Sequence, residues 1–380
     1  MTWTGVVARR MERHALTEAA RGVGPAEIAS VLCGAHAQIM AAAELSIGRR
    51  IAGASRADVQ RALWIDRTIV KTFGPRGTVH LLAAAELPMW TGALSALPSS
   101  APNHPEPVRF TPAQVEEVIA AIGDALADAE MTVDELTEAL RERAGPWAVE
   151  RTMDAFQTKW PRWRQLTSTA AHRGVLCFGP DRGRNVTYTN PHRWLTGFRP
   201  EDGETALRTL VARYLFAYGP ATPQHFAKWL AIPPRHALQL FDALADDLDP
   251  VELDGDPAWI LAGDTATPEL AHGLRLLPYF DAYVVASQPR DRLFPGAAAT
   301  RALSPTGQAG NYPVLLIDGV VGGVWHQRRS GSKIAVTVEP LRDLTATHRR
   351  QLDEEVALVG SIMEAEATVS VGTVTVGAHA

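Results

Sequence analysis

The sequence predicts an α+β protein in which three tandem winged-helix (helix-turn-helix) units precede a small β-barrel-like domain. Three observations lead to this fold class. A group of short helical segments ending in a strand–turn–strand pattern occurs three times along the chain. The C-terminal part is instead rich in short apolar strands separated by glycine. Finally, 380 residues suffice for two to four domains of roughly 100–200 residues each. The expected boundaries are 1–105, 106–200, 201–268 and 269–380.

The first unit contains the capping and turn residues that are typical of short helices followed by a hairpin. Pro25 suits the first turn of a helix, and Ser55 suits an N-cap position. A Gly-Pro-Arg-Gly sequence then separates two alternating apolar segments, which predicts a hairpin. The predicted elements are helices over 25–32, 39–51 and 55–63 and strands over 69–73 and 78–82.

The second unit follows a proline-rich stretch over 97–107, which predicts a loop or linker. Thr111 and the proline after it begin a helix, and Thr132 with Glu135 forms a capping-box pattern at the start of another. The other predicted elements are a helix over 164–173 and strands over 174–178 and 185–188.

The third unit and the C-terminal part complete the chain. Pro223 and Pro234 each mark the start of a helix, because proline is favoured in the first helical turn. In the third unit we expect helices over 205–218, from 222 and over 233–245, and strands over 251–253 and 259–261. In the C-terminal part we expect strands over 274–277, 283–286, 314–317, 319–325, 334–338 and 368–376, and a helix over 347–362.

The composition excludes several classes of protein. With 46% hydrophobic and 21% charged residues, the chain is not a disordered protein. The net charge of −5 excludes a wholly basic nucleic-acid coat but not a local basic patch. Cys33 and Cys177 lie in apolar sequence and are expected to be buried. No signal peptide or membrane span is evident, so we expect a soluble, cytoplasmic and monomeric protein.

Motifs for several other chemistries are absent from the sequence. It contains no phosphate-binding loop, dinucleotide fingerprint, zinc-protease motif or serine-hydrolase elbow. It also has no Cys/His cluster with the spacing of a zinc site. We therefore expect neither a cofactor nor a metal.

Four segments carry a resemblance that extends over the whole chain. They are GAHAQIMAAAELS at 34–46, RGTVHLL at 76–82, LPYFDAY at 277–283 and VLLIDGVVGGVW at 314–325. With these segments the chain resembles the bacterial winged-helix DNA glycosylases of the AlkZ/YcaQ-like group, which unhook bulky adducts and interstrand cross-links. The resemblance implies a monofunctional DNA repair enzyme that acts on double-stranded DNA. It would release bulky or cross-linked cationic N-alkylpurines, chiefly N7-alkylguanine, and leave an abasic site.

The catalytic signature of that family is a pair of polar residues around one apolar residue, Gln-x-Gln in one branch and Gln-x-Asp in another. The matching triplet here is His36-Ala37-Gln38, which keeps the second glutamine. Because a cationic base departs without a strong acid, the enzyme must mainly position water and stabilise the positive sugar. The resemblance implies that Gln38 holds this water and that His36 accepts its hydrogen bond or its proton. The alternative is that both residues merely cap the helix that starts near Ile39.

Three other charged residues are not expected to take part directly in catalysis. Lys71 is the only lysine of the first unit, so a lysine nucleophile and a lyase activity are not expected. Glu44 could orient His36 or the water, but a carboxylate on a helix surface is the favoured interpretation. Asp281 is interpreted as a structural residue that satisfies a turn.

Basic residues in the predicted wings and in one C-terminal turn are candidate DNA contacts. They are Arg76 and His80 in the first wing, Arg182 and Arg184 in the second, and Arg328, Arg329 and Lys333 in the turn 326–333. The alternatives are solvated loop residues and, for His80, a half-buried strand residue. Trp160 and Trp163 lie beside arginines, as in some nucleic-acid surfaces, but such aromatic residues are more often part of a core.

A second function remains open from the sequence. The chain could be a non-catalytic winged-helix DNA-binding protein or transcription regulator. Its acidic balance and the lack of an obvious dimerisation helix weigh against that function, whereas a palindromic footprint and a dimer would favour it.

Overall fold

The computed structural model describes residues 1–98, 105–154 and 158–377. The chain forms two compact units, one of Asp66–Leu210 and one of Met1–Ile65 together with the chain from Val211 onwards. We call them the middle unit and the terminal unit. The predicted linker over 97–107 lies partly outside the described residues, because these do not include 99–104.

Short helices and strands alternate along the chain. The helices are α1 (Trp3–Arg13), α2 (Pro25–Val31), α3 (Met40–Gly48), α4 (Arg56–Trp64), α5 (Leu87–Ala96), α6 (Pro112–Leu126), α7 (Val133–Arg143), α8 (Pro146–Val149), α9 (Thr167–His172), α10 (Gly203–Tyr218), α11 (Pro223–Leu230), α12 (Pro234–Asp242), α13 (Ala282–Ala286), α14 (Arg290–Leu293), α15 (Ala297–Ala302) and α16 (Ala346–Met363). The strands are β1 (Ala35–His36), β2 (Ile69–Phe73), β3 (Val79–Ala83), β4 (Glu130–Thr132), β5 (Arg151–Asp154), β6 (Lys159–Pro161), β7 (Cys177–Arg182), β8 (Asn185–Thr189), β9 (Leu248–Leu253), β10 (Asp256–Leu261), β11 (Leu274–Leu277), β12 (Val314–Ile317), β13 (Val320–Ser330), β14 (Lys333–Pro340) and β15 (Glu366–Val371). In the described ranges, every helix is too short or too polar to cross a membrane.

The middle unit combines antiparallel strand pairs with a helical core. Strand β2 pairs with β3, β5 pairs with β6, and β4, β8 and β7 form a sheet in that order. The core includes Trp163, which is wholly buried and donates its indole N–H to the Thr137 hydroxyl at 3.0 Å. Trp160 is instead 42% exposed, and the Arg164 guanidinium stacks on it at 4.0 Å. The prediction that both residues pack in a core is therefore confirmed for Trp163 and wrong for Trp160. Trp160 is exposed because it belongs to the β5–β6 hairpin and not to a helix junction.

The terminal unit contains an open five-stranded sheet with the order β11-β12-β13-β14-β15. The β14–β15 pair is parallel and the other pairs are antiparallel. Because strand side chains alternate, Val314 and Leu316 enter one core cluster and Leu315 and Ile317 enter the other. Helix α16 packs in this second cluster, together with Leu45 of α3.

A close helix contact fixes α3 within the terminal unit. A Cβ atom added at Gly48 would lie 2.7 Å from a methyl carbon of Ile362, so α3 approaches α16 where only glycine fits. The Arg49 guanidinium also pairs with Glu355 of α16 at 3.0 Å. Helix α3 is thus anchored on α16, and this anchor also positions the segment that precedes α3.

The mixed α+β class and most predicted elements are confirmed. The predicted capping box is present at α7, where the Glu135 carboxylate accepts from the Thr132 backbone N–H at 2.7 Å and the Thr132 hydroxyl accepts from the Glu135 N–H. Cys33 and Cys177 are buried free thiols, as predicted. Helix α5 was not predicted, because its sequence is apolar almost throughout and lacks a helical period.

The segment predicted as a strand over 283–286 is helix α13. Its Tyr-Val-Val sequence has high strand propensity, but Asp281 caps the helix by accepting from the Tyr283 backbone N–H at 3.0 Å. Tyr283 is buried and donates its hydroxyl to the Gly319 carbonyl at 2.8 Å. The cap by Asp281 and the burial of Tyr283 together outweigh the preference of these residues for strand over helix, which is at most about 1 kcal/mol per residue.

The C-terminal sheet differs from the predicted one in three details. The basic turn predicted over 326–333 is mostly strand, because β13 continues to Ser330 and β14 begins at Lys333. Only Gly331, with φ +59°, and the residue after it form the turn. The last strand ends at Val371 instead of 376. The sheet is also a half-barrel and not a closed one, since β11 and β15 stand at opposite ends of the strand order.

Candidate functional site

The triplet His36-Ala37-Gln38 follows a sharp turn of the chain in the terminal unit. Helix α2 ends there because Cys33 and Gly34 both adopt left-handed backbone, with φ values of +52° and +94°. The Gly34 N–H donates back to the Ala29 carbonyl at 2.8 Å, which closes the end of the helix. The chain then continues as the short strand β1, which includes His36.

The three residues of the triplet differ in exposure. His36 is 8% exposed and Ala37 is 2% exposed, whereas Gln38 is exposed. The imidazole of His36 stacks on the ring of Phe280, with centroids 4.5 Å apart and planes 24° from parallel. The N-cap residue of α3 is Ile39, so neither His36 nor Gln38 is the N-cap that the alternative interpretation required.

Phe280 is held by its backbone as well as by its ring. Its φ of +55° is unusual for a bulky residue. Its N–H donates to the Gly310 carbonyl at 3.2 Å. A Cβ atom added at Gly310 would lie 2.8 Å from the Phe280 ring, so this approach requires glycine.

Asp281 forms the centre of a buried polar cluster. Its two carboxylate oxygens each accept from the Arg50 guanidinium at 2.8 Å, and one also accepts from the Ser46 hydroxyl at 2.7 Å. Burial raises the pKa of Asp281, but Arg50 and the hydrogen bonds outweigh burial and hold this pKa below its ordinary value. Asp281 is thus a structural residue that caps α13, and it also has an ionic partner 231 positions away.

Glu44 is not the surface carboxylate that was expected. It is wholly buried, and its carboxylate accepts from the Gln60 side chain and lies 3.0 Å from the Arg56 guanidinium. A carboxylate is tolerated there because Arg56 and Gln60, both on α4, replace the lost water. Glu44 therefore ties α3 to α4.

The first pair of candidate DNA contacts lies around the β2–β3 turn of the middle unit. Arg76 is half-buried and has left-handed backbone, with φ +61°. His80 is buried, not half-buried, and its Nδ1 donates to the Thr78 carbonyl at 2.8 Å. A Cβ atom added at Gly74 would lie 2.9 Å from that nitrogen, so the imidazole packs closely on the turn.

The second pair lies in the β7–β8 hairpin. Arg182 is exposed but engaged, because its guanidinium donates to Glu135 at 2.6 and 3.0 Å. The Thr132 backbone N–H, and next the Arg182 guanidinium, lower the pKa of Glu135. Arg184 is exposed at the hairpin end.

The third group lies at the tip of the hairpin formed by β13 and β14, which we call the basic hairpin. Arg328 is exposed. Arg329 donates to the Met363 carbonyl at 2.8 Å, at the end of α16. Lys333 is exposed, and its ammonium is 4.0 Å from the Glu366 carboxylate. The three residues therefore share one tip, but Arg329 also has an internal structural contact.

Sequence reasoning did not find Phe280 and Arg50 as neighbours of the candidate site. Their contacts join positions more than 200 residues apart, so no local spacing could reveal them. For Phe280, the sequence offers one signal: the residue belongs to the segment 277–283, which is typical of the family that the chain resembles. Within the described ranges, no group of three or more His, Cys, Asp or Glu residues could hold a metal ion.

Comparisons with known proteins agree with one another. The sequence profile of the AlkZ-like DNA glycosylases matches residues 29–362. An interstrand DNA cross-link repair glycosylase of Streptomyces sahachiroi is 32% identical over 335 residues, which are 85% of this chain and 87% of that protein. The solved structure of the Streptomyces sahachiroi DNA glycosylase AlkZ superposes with a TM-score of 0.79 at 26% identity, covering 97% of this chain and all of that one.

A profile match over most of the chain and a relative above 30% identity establish the family. The alternative of a non-catalytic regulator is therefore not supported. The chain is a DNA glycosylase and belongs to the AlkZ-like DNA glycosylase family.

Proposed function

We propose that the enzyme hydrolyses the N-glycosidic bond of bulky or cross-linked cationic N-alkylpurines in double-stranded DNA, chiefly N7-alkylguanine. The observation that carries the proposal is the geometry of the triplet. His36 ends strand β1, and Gln38 is exposed in the bend between β1 and α3, so the two polar side chains lie on one short connection that leads into α3. The similarity to a cross-link repair glycosylase supports a cross-linked or bulky substrate.

The proposed chemistry follows from the charge of the damaged base. An N7-alkylated purine is already cationic, so its bond to C1′ breaks without full protonation by a strong acid. The sugar becomes positively charged, and water must attack C1′ from the side opposite the departing base. In this proposal the Gln38 amide oxygen accepts one hydrogen bond from that water, and His36 accepts the other and then its proton. This role requires a neutral imidazole, because only its unprotonated nitrogen can accept a hydrogen bond.

We infer a monofunctional reaction that leaves an abasic site. A lyase step needs an amine nucleophile to form a Schiff base with the sugar. The lysine nearest the triplet in sequence is Lys71, in the middle unit, and its ammonium lies 5.0 Å from the Phe178 ring centroid. That ammonium is engaged in a cation–π contact, which supports hydrolysis by water alone.

We also infer that the helix groups and hairpins are winged-helix units that bind duplex DNA through its phosphates. The order of elements along the chain supports this proposal, because the hairpins β2–β3, β7–β8 and β9–β10 each follow a group of helices. The proposed boundaries of the three units are 1–105, 106–200 and 201–268. The proposed contacts are Arg76, His80, Arg182, Arg184, Arg328, Arg329 and Lys333. Of these, the exposed residues Arg184, Arg328 and Lys333 fit the role best. Arg182 and Arg329 also donate hydrogen bonds to acceptors within the protein.

The experiment that tests the proposed function is base release under single-turnover conditions. The substrates are duplexes that carry one N7-methylguanine or one bulky N7-alkylguanine. We expect release by the wild type, and a fall of at least about tenfold, or about 1.4 kcal/mol of barrier, in His36→Ala or Gln38→Ala. DNA binding should remain near the wild-type level.

Two exposed residues provide matched controls. His272→Ala and Gln224→Ala remove the same side-chain types at exposed positions and should leave base release unchanged. Full activity of both triplet variants would refute their assignment. Tight duplex binding by the wild type with no release of either base would refute the proposed substrates.

A further inference from the structure

We propose that Phe280 is a positioning residue for His36, a role that rests on the proposed function. The stack between the two rings carries the inference. Phe280 reaches this position from a segment more than 240 positions away in the chain. Its ring contacts the face of the imidazole, whereas proton transfer takes place at the nitrogen edge. The stack therefore fixes the ring plane without occupying the atoms that react.

The restraint matters because histidine has two freely rotating side-chain bonds. With the rings 4.5 Å apart and 24° from parallel, a large rotation about the Cβ–Cγ bond of His36 would drive the imidazole edge into Phe280. A general base must be held within hydrogen-bond reach of the water it activates. A leucine at position 280 would keep the apolar contact but lose the flat surface that defines the orientation.

The backbone of Phe280 is held by more contacts than a side chain in simple apolar packing would need. Residue 280 adopts a left-handed conformation that is unfavourable for a bulky residue. Such a conformation persists only where the surroundings determine it. Here the hydrogen bond to the Gly310 carbonyl and the close approach of Gly310 both hold it.

The next residue connects this corner to the helix that follows the triplet. Asp281 binds Arg50 and Ser46, and Ser46 belongs to α3. His36 lies four positions before the first residue of the same helix, Met40. The residue after Phe280 is thus hydrogen-bonded to α3, and His36 lies on the segment that leads into α3, so this helix connects the two stacked residues.

A double-mutant cycle with two substitutions at position 280 tests this role. Phe280→Leu should lower the single-turnover rate constant at saturating enzyme by about tenfold and leave DNA affinity within about twofold. Phe280→Tyr, which keeps the ring, should retain the wild-type rate. In a His36→Ala background, Phe280→Leu should cause no further loss, because it acts through the imidazole. Phe241→Leu removes another buried ring, whose ring neighbours are Phe226 and Trp259, and should not change the rate.

A spectroscopic measurement separates this inference from the proposed function. In protein with ¹³C-labelled histidine, the His36 Cε1–H signal is assigned by its loss in His36→Ala. Ring current from the stacked Phe280 should shift it upfield, and Phe280→Leu should remove that shift while Phe280→Tyr keeps it. An unchanged signal in Phe280→Leu, or an equal loss of rate with and without His36, would overturn the positioning role. If the wild type releases no base, the proposed function fails, and the signal alone still decides whether Phe280 orients His36.

Discussion

Buried arginines provide much of the polar packing inside the terminal unit. The sequence has 37 basic residues, of which four are lysines. An excess of arginine suits phosphate binding. However, Arg9, Arg10, Arg49 and Arg50 are all buried, and each donates to carbonyls or carboxylates of the terminal unit. A guanidinium has five donors in a fixed fork and can satisfy several acceptors at once, so packing explains part of the enrichment.

Asp281 gives the sharpest prediction about a single residue. Asp281→Asn keeps the shape of the side chain but leaves the Arg50 guanidinium buried without its counter-charge. We expect a loss of about 3–5 kcal/mol in the free energy of unfolding at pH 7, measured by urea denaturation. Because its pKa is lowered in the folded protein, the stability that Asp281 contributes is present above its unfolded pKa and is lost as the pH falls through the folded pKa.

An exposed ion pair of the same unit serves as the control for this prediction. Lys333 and Glu366 lie 4.0 Å apart and are both solvent-exposed. Glu366→Gln should leave the free energy of unfolding nearly unchanged, because water screens such pairs. Equal stability losses in Asp281→Asn and Glu366→Gln would contradict the role assigned to the buried pair.

Secondary structure was predictable where a cap or a turn residue fixed the local conformation. The capping box of Thr132 and Glu135 identified α7, and proline at the first turn identified α11 and α12. The prediction failed at α13, where burial of Tyr283 decided the conformation. It also failed for the basic hairpin, because the polar tip of a long strand pair has the composition of a loop.

The basic hairpin offers a prediction that compares two adjacent arginines. Arg328→Ala should weaken duplex binding and reduce the slope of log affinity against log salt by about 1, because one phosphate contact is lost. Its melting temperature should equal that of the wild type. Arg329→Ala should instead lower the melting temperature, because Arg329 holds the Met363 carbonyl at the end of α16. An unchanged salt slope in Arg328→Ala would remove this residue from the proposed DNA contacts.

For the whole molecule, buried histidines predict that stability falls as the pH decreases below neutrality. Burial, and next the charge of Arg50, lower the pKa of His14 to about 3. Burial also lowers the pKa of His172 and of His225 to about 4. At pH 5 to 6 these groups bind protons in the unfolded chain but not in the folded one, so falling pH favours unfolding.

Protonation of His14 in the unfolded chain should lower the free energy of unfolding by about 1 kcal/mol between pH 7 and pH 5.5. His172 and His225 should lower it further. Urea denaturation at the two pH values measures this loss. Depressed carboxylate pKa values, such as that of Glu339, affect stability only at lower pH. A free energy of unfolding that stays constant or rises on acidification would contradict the prediction.

The sequence by itself determined the α+β class, the positions of many helices and hairpins, the membership of the family and the candidate triplet. These features are encoded locally, in caps, turns, strand alternation and short motifs, so neighbouring residues suffice to show them. Only the tertiary structure decided that Phe280 stacks on His36, that Asp281 pairs with Arg50 and that Glu44 is buried. Each of these contacts depends on how separate elements pack, and two of them join residues more than 200 positions apart. No local periodicity records such a contact, because its energy arises only when burial removes both partners from water.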